Sequence, residues 1–256
     1  MNRAAGGGAG MLPLDDPQRA LAAWDDALAV PRCAVDVVLL HHGGLVPGDA
    51  DALDLPVSAL AVLLARLWTS SFGGSAECVV RCGACGEDLE VALPVDRLAA
   101  VAEPPGTEQV RAGTEPLVVR CPTTRDLVAV AAAVEADPAT RPAGALVARC
   151  LRTADGRPVD VADLAPDVLA AVESAAERVA GGAAATVTAG CPACEAPVRV
   201  DLDPGDLLWQ RLRALVPTLL ADVADLASAF GWSESDVLAL PPGRRSAYLS
   251  LVRGES

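Results

Sequence analysis

The chain contains no lysine. All 20 of its basic residues are arginine, against 34 acidic ones, which leaves a formal charge of −14 over 256 residues. Together with the abundance of alanine, the missing lysine points to GC-rich coding and carries no functional meaning. The acidic balance does carry meaning, because a field of that sign repels phosphate backbones and anionic lipid headgroups. General nucleic-acid or membrane-surface binding is therefore disfavoured. The first residues, "MNRAAGGGAGMLPLDD", lack the apolar core of a signal peptide. No apolar run reaches the roughly 18 residues needed to span a bilayer. The expected location is the cytoplasm.

Histidine is almost as scarce. His41 and His42 are the only two, and they stand together in "VDVVLLHHGGLVPGDADALDLP", a stretch rich in turn formers, where a solvated or packed role is expected. No P-loop, GxSxG, HExxH or dinucleotide fingerprint is found, and the carboxylates are scattered over helical faces without an evident pair. Hydrolase and oxidoreductase chemistry are disfavoured, and a non-enzymatic protein is expected.

Hydrophobic residues make up 52% of the chain, ample for a packed core. There are eight cysteines: Cys33, Cys78, Cys82, Cys85, Cys121, Cys150, Cys191 and Cys194. In a reducing compartment they are free thiols or metal ligands in preference to disulfides. Only Cys82/Cys85 and Cys191/Cys194 have ligand spacing. "CGACGEDLEVAL" (82–93) aligns without gaps on "CPACEAPVRVDL" (191–202), at an offset of 109 residues. In both, apolar residues alternate after the cysteines (Leu89, Val91, Leu93; Val198, Val200, Leu202), and strand-like residues precede them. Each CxxC therefore sits at the tip of a predicted β-hairpin.

Two facing knuckles offer four thiolates, the donor set of a closed tetrahedral zinc site. The 105 residues between the pairs (86–190) far exceed the usual separation of about 15–20, so the site requires the intervening chain to return to its starting point. The matching flanks argue that it does. A thioredoxin-like redox dithiol would open a helix, which both alternating flanks disfavour. The expectation is one structural zinc on Cys82, Cys85, Cys191 and Cys194. Cys78 could replace one ligand, although it, Cys33, Cys121 and Cys150 read more simply as packed thiols.

The fold class expected is α+β, mostly helical, with a small zinc-ribbon-like module made of two knuckles distant in sequence. Residues 1–13 are expected to be disordered, and 14–76 to be helical, with helices over Pro17–Leu28 and Pro56–Trp68. Residues 77–205 form the split module. It is interrupted at about 106–185 by a hairpin and by helices, one opened by Thr123 and Asp126 as a capping box, others over roughly 142–152 and 164–180. From 206 to 256 the chain is helical. Leu208, Leu212, Leu215, Leu219, Val223, Leu226 and Phe230 form an apolar stripe, with a kink or break expected near Pro217.

"LASAFGWSESDVLAL" spaces Ala227, Gly231, Val237 and Leu240 as a helix-turn-helix core. A zinc-containing transcriptional regulator is therefore the alternative function. Against it, the groove-facing helix would start with Glu234 and Asp236, close to phosphates.

The final segment, "LLADVADLASAFGWSESDVLALPPGRRSAYLSLV", resembles the closing segment of the T-even-phage-type baseplate protein family of contractile phage tails and related extracellular injection systems. The matching features are the leucine-rich helix, "GWSESDVLAL", the Arg244–Arg245 pair and Tyr248 with Leu249. Members of the wider group also resemble the chain in carrying two CPxCG-like knuckles. One precedes an "RxPTxxDL"-like segment, here "VRCPTTRDL", and the other an "LDPxxLLW"-like segment, here "LDPGDLLW". This chain departs from the pattern at Gly83, where the second knuckle has Pro192, and at Cys121. The resemblance implies a baseplate or assembly protein of a contractile injection particle, with other baseplate or tail components as partners and no small-molecule substrate. Trp209, Phe230 and Trp232 would then be packing anchors, and Trp209, Trp232, Arg244, Arg245 and Tyr248 would contact a partner.

Overall fold

The computed structural model describes residues 11–48, 50–100, 106–112, 115–181 and 185–254. It is an α+β fold in which helices alternate with three small antiparallel sheets. The chain opens with α1 (Pro17–Leu28), whose first turn is set by Pro17 and by the Asp16 carboxylate accepting the Arg19 N–H. Next come α2 (Val35–His42) and α3 (Val57–Phe72). Ala20, Leu21, Leu39, Leu40, Leu60, Leu64, Leu67 and Trp68 from these helices are buried in the main core.

Two expectations change here. His41 and His42 close α2 and do not sit in a turn. Val35, Val37, Leu39 and Leu40 are all buried, so tertiary packing makes a helix from a β-branched run that has poor intrinsic propensity. Of the segment expected to be disordered, residues 1–10 lie outside the described residues. Residues 11–13 are described at the surface, with the Leu12 N–H donating to the Gly43 carbonyl at 3.0 Å and Leu14 fully buried beyond them.

The first hairpin, β1 (Ala76–Arg81) and β2 (Asp88–Leu93), leads into the short α4 (Val95–Ala99). Leu89, Val91 and Leu93 point inward, each worth roughly 1.5–3 kcal/mol of burial. A second unit follows, with sheet order β3 (Thr107–Ala112), β4 (Glu115–Arg120), β5 (Leu151–Thr153). Between β4 and β5 lie α5 (Thr124–Ala136) and α6 (Pro142–Cys150), and α7 (Pro166–Ala180) follows them. Val110, Leu117, Val119, Cys121 and Leu151 pack on Val172, Ala175 and Val179 of α7 as a separate core. The helix expected to reach residue 152 stops at Cys150, because Leu151 and Thr153 pair with Val119 and Leu117 of β4.

The last hairpin, β6 (Ala185–Gly190) and β7 (Pro197–Leu202), runs into the 27-residue α8 (Pro204–Phe230), then α9 (Glu234–Leu238) and α10 (Pro242–Arg253). Asp203 caps α8 through the N–H groups of Gly205 and Asp206, and Gly231 closes it in the left-handed conformation. Gly205 admits the close approach of α2, since a Cβ there would overlap the Asp36 carboxylate. Of the kink or break expected near Pro217, the break does not occur. Leu208, Leu212, Val216, Leu219 and Leu226 are buried on both sides of it, and this continuous packing holds the helix through the proline while Pro217 itself faces outward.

The two hairpins belong to a larger repeat. Adding 109 to the limits of β1 and β2 gives those of β6 and β7, and the same shift carries the first residues of α3 and α4 onto those of α7 and α8. Strand register is conserved as well, from Ala76↔Leu93 to Ala185↔Leu202 and from Arg81↔Asp88 to Gly190↔Pro197. The chain thus contains two helix–hairpin–helix units.

Asp126 locks the excursion between them. Its side chain is 3% exposed and accepts from Arg120 at 2.6 and 2.9 Å, from Arg149 at 3.0 Å, and from the Thr123 N–H and hydroxyl, completing the α5 capping box. Burial alone would push its carboxyl up, but Arg120 and Thr123 hold it well below the usual carboxylate range. Replacing Asp126 with Ala leaves the partly exposed Arg120 and Arg149 without their shared anion and removes the capping box, and is expected to cost about 2–3 kcal/mol in urea unfolding. Because the folded carboxyl is depressed, its contribution is complete above the unfolded value of about 4 and is lost as pH falls below it. The gap between wild type and Asp126→Asn should therefore narrow in acid; a gap that stays constant from pH 7 to pH 3 would count against the ion-pair account.

Candidate metal centre

Each knuckle is built by the same two backbone hydrogen bonds. In the first, the Cys82 N–H donates to the Glu87 carbonyl at 2.8 Å and the Gly86 N–H to the Cys82 carbonyl at 2.9 Å. In the second, the Cys191 N–H donates to Ala196 at 3.0 Å and the Glu195 N–H to Cys191 at 2.8 Å. The residue after the second cysteine must turn left-handed. Gly86 does so freely at φ 78°, whereas Glu195 does so at φ 62° and is the only non-glycine with positive φ among the described residues.

The two tips face each other. All four Sγ atoms of Cys82, Cys85, Cys191 and Cys194 lie within 4.8 Å of one another. The Cys82–Cys194 and Cys85–Cys191 separations are each 3.7 Å. A tetrahedron with Zn–S bonds of about 2.3 Å has edges of about 3.8 Å. Among the described residues, this is the one group of three or more Cys, His, Asp or Glu side chains whose donor atoms converge in this way. Cys82 and Cys191 are buried against the main core, and Cys85 and Cys194 are exposed, so the centre lies at the surface with its inner half embedded.

The thiols do not ionise independently. The backbone N–H groups of Cys85 and Ala84 favour the Cys82 thiolate and bring its pKa down to about 6. At Cys85 the Glu87 N–H acts in the same sense, but the sulfurs of Cys194, Cys191 and Cys82, together with burial, overrule it and push the thiol up to about 12. Cys194 is raised too: the Ala196 N–H and Cys85 favour its thiolate, while burial, Cys191 and Cys82 outweigh them. The four sulfurs thus titrate as one group, and together they could hold a cation at their centre.

The remaining cysteines stand apart. Cys78 donates its S–H to the Val91 carbonyl at 3.4 Å, outside the cluster. Cys121 is buried in the second core beside the Ser58 hydroxyl, 3.5 Å away. Burial pushes the Cys150 thiol up to about 11, and Cys33 is half-buried.

The residues singled out for partner contact do not form one surface. Trp209 is half-buried against the main core, while Trp232 and Tyr248 pack with Phe230 at the far end of α8. Arg244 is exposed. Arg245 lies largely buried 3.8 Å from Asp222, which also accepts from Arg253 at 2.9 Å, and the Arg245 Nη1 has no hydrogen-bond partner among the described residues. Arg245 thus helps tie α10 to α8, a role that consecutive arginines in a sequence do not reveal. In the helix-turn-helix-like segment, α9 spans five residues and carries Glu234 and Asp236 in its first turn.

No family model, curated protein or solved structure matches the chain. No helix of the described residues is long and apolar enough to cross a membrane.

Glu195→Gly should relieve the left-handed strain without touching a ligand. An increase in stability of about 1 kcal/mol is expected on thermal or urea unfolding. The control substitution Gly86→Ala should cost a similar amount, and a destabilised Glu195→Gly protein would disprove the strain.

Proposed function

We propose that Cys82, Cys85, Cys191 and Cys194 hold one structural zinc ion, and that the chain is a non-enzymatic scaffold or assembly protein. The observation that carries this reading is the convergence of four thiols within 4.8 Å of one another, two of the separations at tetrahedral edge length, from two knuckles 109 residues apart. Zinc bound by four thiolates has no free position for water or substrate, so its contribution is to close the fold. Such a donor set suits iron as well. Zinc is favoured because it binds without redox chemistry at a site half open to solvent.

The particle in which the scaffold serves follows from the resemblance of its C-terminal segment: the baseplate of a contractile injection system, with other baseplate or tail proteins as partners. In this reading the protein works in the cytoplasm, where the thiols stay reduced, and can be incorporated into a tail-like particle. The acidic field is consistent with protein partners over nucleic acid.

Purified protein is expected to contain one zinc per chain by elemental analysis, and Cys191→Ser to lose the metal together with several kcal/mol of stability. Iron with the absorption of a ferric–thiolate centre, or an undiminished zinc content after Cys191→Ser, would overturn the metal assignment. Affinity purification of the tagged protein from its native host should recover sheath, tube or spike components. Recovery of polymerase or promoter DNA in their place would overturn the assembly role and favour the regulator.

A further inference from the structure

We propose that the four-cysteine centre is also a site of reversible oxidation, at which a hydroperoxide joins Cys82 to Cys194 and Cys85 to Cys191 and so exchanges the metal for two disulfides between the knuckles. The four sulfurs fall into two disjoint pairs. Cys82 and Cys194 are 3.7 Å apart, as are Cys85 and Cys191, and both contacts cross from one knuckle to the other. Each pair joins an exposed cysteine to a buried one. Cys85 and Cys194 are open to solvent, whereas Cys82 and Cys191 are each 2% exposed.

A small oxidant therefore reaches one sulfur of each pair, and the sulfur it cannot reach lies against the first. That is the arrangement of a peroxide-sensitive thiol beside its resolving partner. Going from 3.7 Å to a disulfide bond of about 2 Å asks only for a small approach of the two tips, with the strands behind them still paired. Among the described residues no other cysteine belongs to such a cluster: Cys121 and Cys150 are buried, and Cys33 and Cys78 are half-buried.

Zinc is redox-inert, so the electrons come from sulfur. Attack of the Cys85 thiolate on the peroxide breaks the O–O bond, leaves one oxygen on sulfur as a sulfenic acid and releases the other as hydroxide. The Cys191 thiolate then attacks the sulfenic sulfur, forms the S–S bond and expels a second hydroxide. The same two steps on Cys194 and Cys82 consume a second peroxide. In all, four thiolates give up four electrons, two peroxides become four hydroxides, and zinc leaves as the divalent cation because the disulfide sulfurs carry no charge to hold it.

The outcome is a change of staple without loss of the fold. The two bonds span 112 and 106 residues, so each closes the same long excursion that the metal closes, and a crosslink over so long a loop restricts the unfolded chain strongly. A bond within either CxxC would close a loop of four residues and leave the knuckles unjoined. Release of metal rests on the zinc assignment, whereas the disulfide pairing does not.

The full, zinc-loaded chain treated with hydrogen peroxide should release one zinc per chain to a chromophoric chelator as two peroxides are consumed. Peptide mapping without reductant should recover Cys82 linked to Cys194 and Cys85 to Cys191, and the product should run ahead of the reduced chain on a non-reducing denaturing gel. Its melting temperature should exceed that of the reduced, chelator-stripped protein by several degrees, and a dithiol reductant with added zinc should restore the metal. Disulfides confined to Cys82–Cys85 and Cys191–Cys194, disulfides between chains, thiols unchanged in a large excess of peroxide, or an oxidised protein that melts no higher than the stripped one would overturn the proposal. Mapping the stripped protein in parallel keeps the two assignments apart. Cross-knuckle bonds in a chain purified without zinc would refute the metal and uphold the pairing, and zinc released with bonds confined to each CxxC would refute the pairing alone.

Discussion

The 105 residues between Cys85 and Cys191 must leave one knuckle and end at the other. Holding the ends of so long an excursion together costs about 4–5 kcal/mol of chain entropy. The rest of the molecule is arranged around that constraint. The excursion builds its own core between β3–β5 and α7, and Asp126 with Arg120 and Arg149 ties its strands to its helices. The chain therefore returns as a folded unit, and both hairpins insert Leu89, Val91, Leu93, Val198 and Leu202 into the main core. Four converging thiols result from that meeting, and a cation bound there would complete the closure.

The repeat explains how two distant segments come to match so closely. The units beginning with α3 and with α7 share strand limits, helix starts and strand register at a constant offset, and each contributes one knuckle. Their surroundings differ. α3 is buried in the main core, whereas α7 packs on the inserted sheet. α4 spans five residues, while its counterpart α8 continues for 27 and carries the aromatic cluster at its far end. The knuckles share the left-handed turn after their second cysteine, made by Gly86 in the first and by Glu195 in the second.

Local signals were legible where chain neighbours create the structure. The spacing of Pro17–Leu28, the alternation after each CxxC, and the capping box of Thr123/Asp126 all involve residues within a few positions of each other. The misread segments were those decided by distant partners. His41 and His42 end a helix because Leu39 and Leu40 are enclosed by other helices. Residues 151 and 152 leave the helix expected for them because β4 offers an open edge. α8 passes Pro217 because buried leucines and valines grip it on either side. Consecutive arginines looked alike, and yet Arg245 is embedded beside Asp222 while Arg244 faces solvent.

The sequence by itself determined the pairing of the two CxxC segments and the α+β alternation, because residue spacing and matched flanks are properties of the chain alone. Only the tertiary structure decided that the four sulfurs meet, since 3.7 Å separations depend on the course of all 105 intervening residues. It also extended the match from two hairpins to two helix–hairpin–helix units, which the diverged helix sequences had concealed. Helices conserve their place through burial against whatever neighbour is present, so their residues drift. Metal-ligand spacing and hairpin register tolerate no such drift, and those are the features that remained readable.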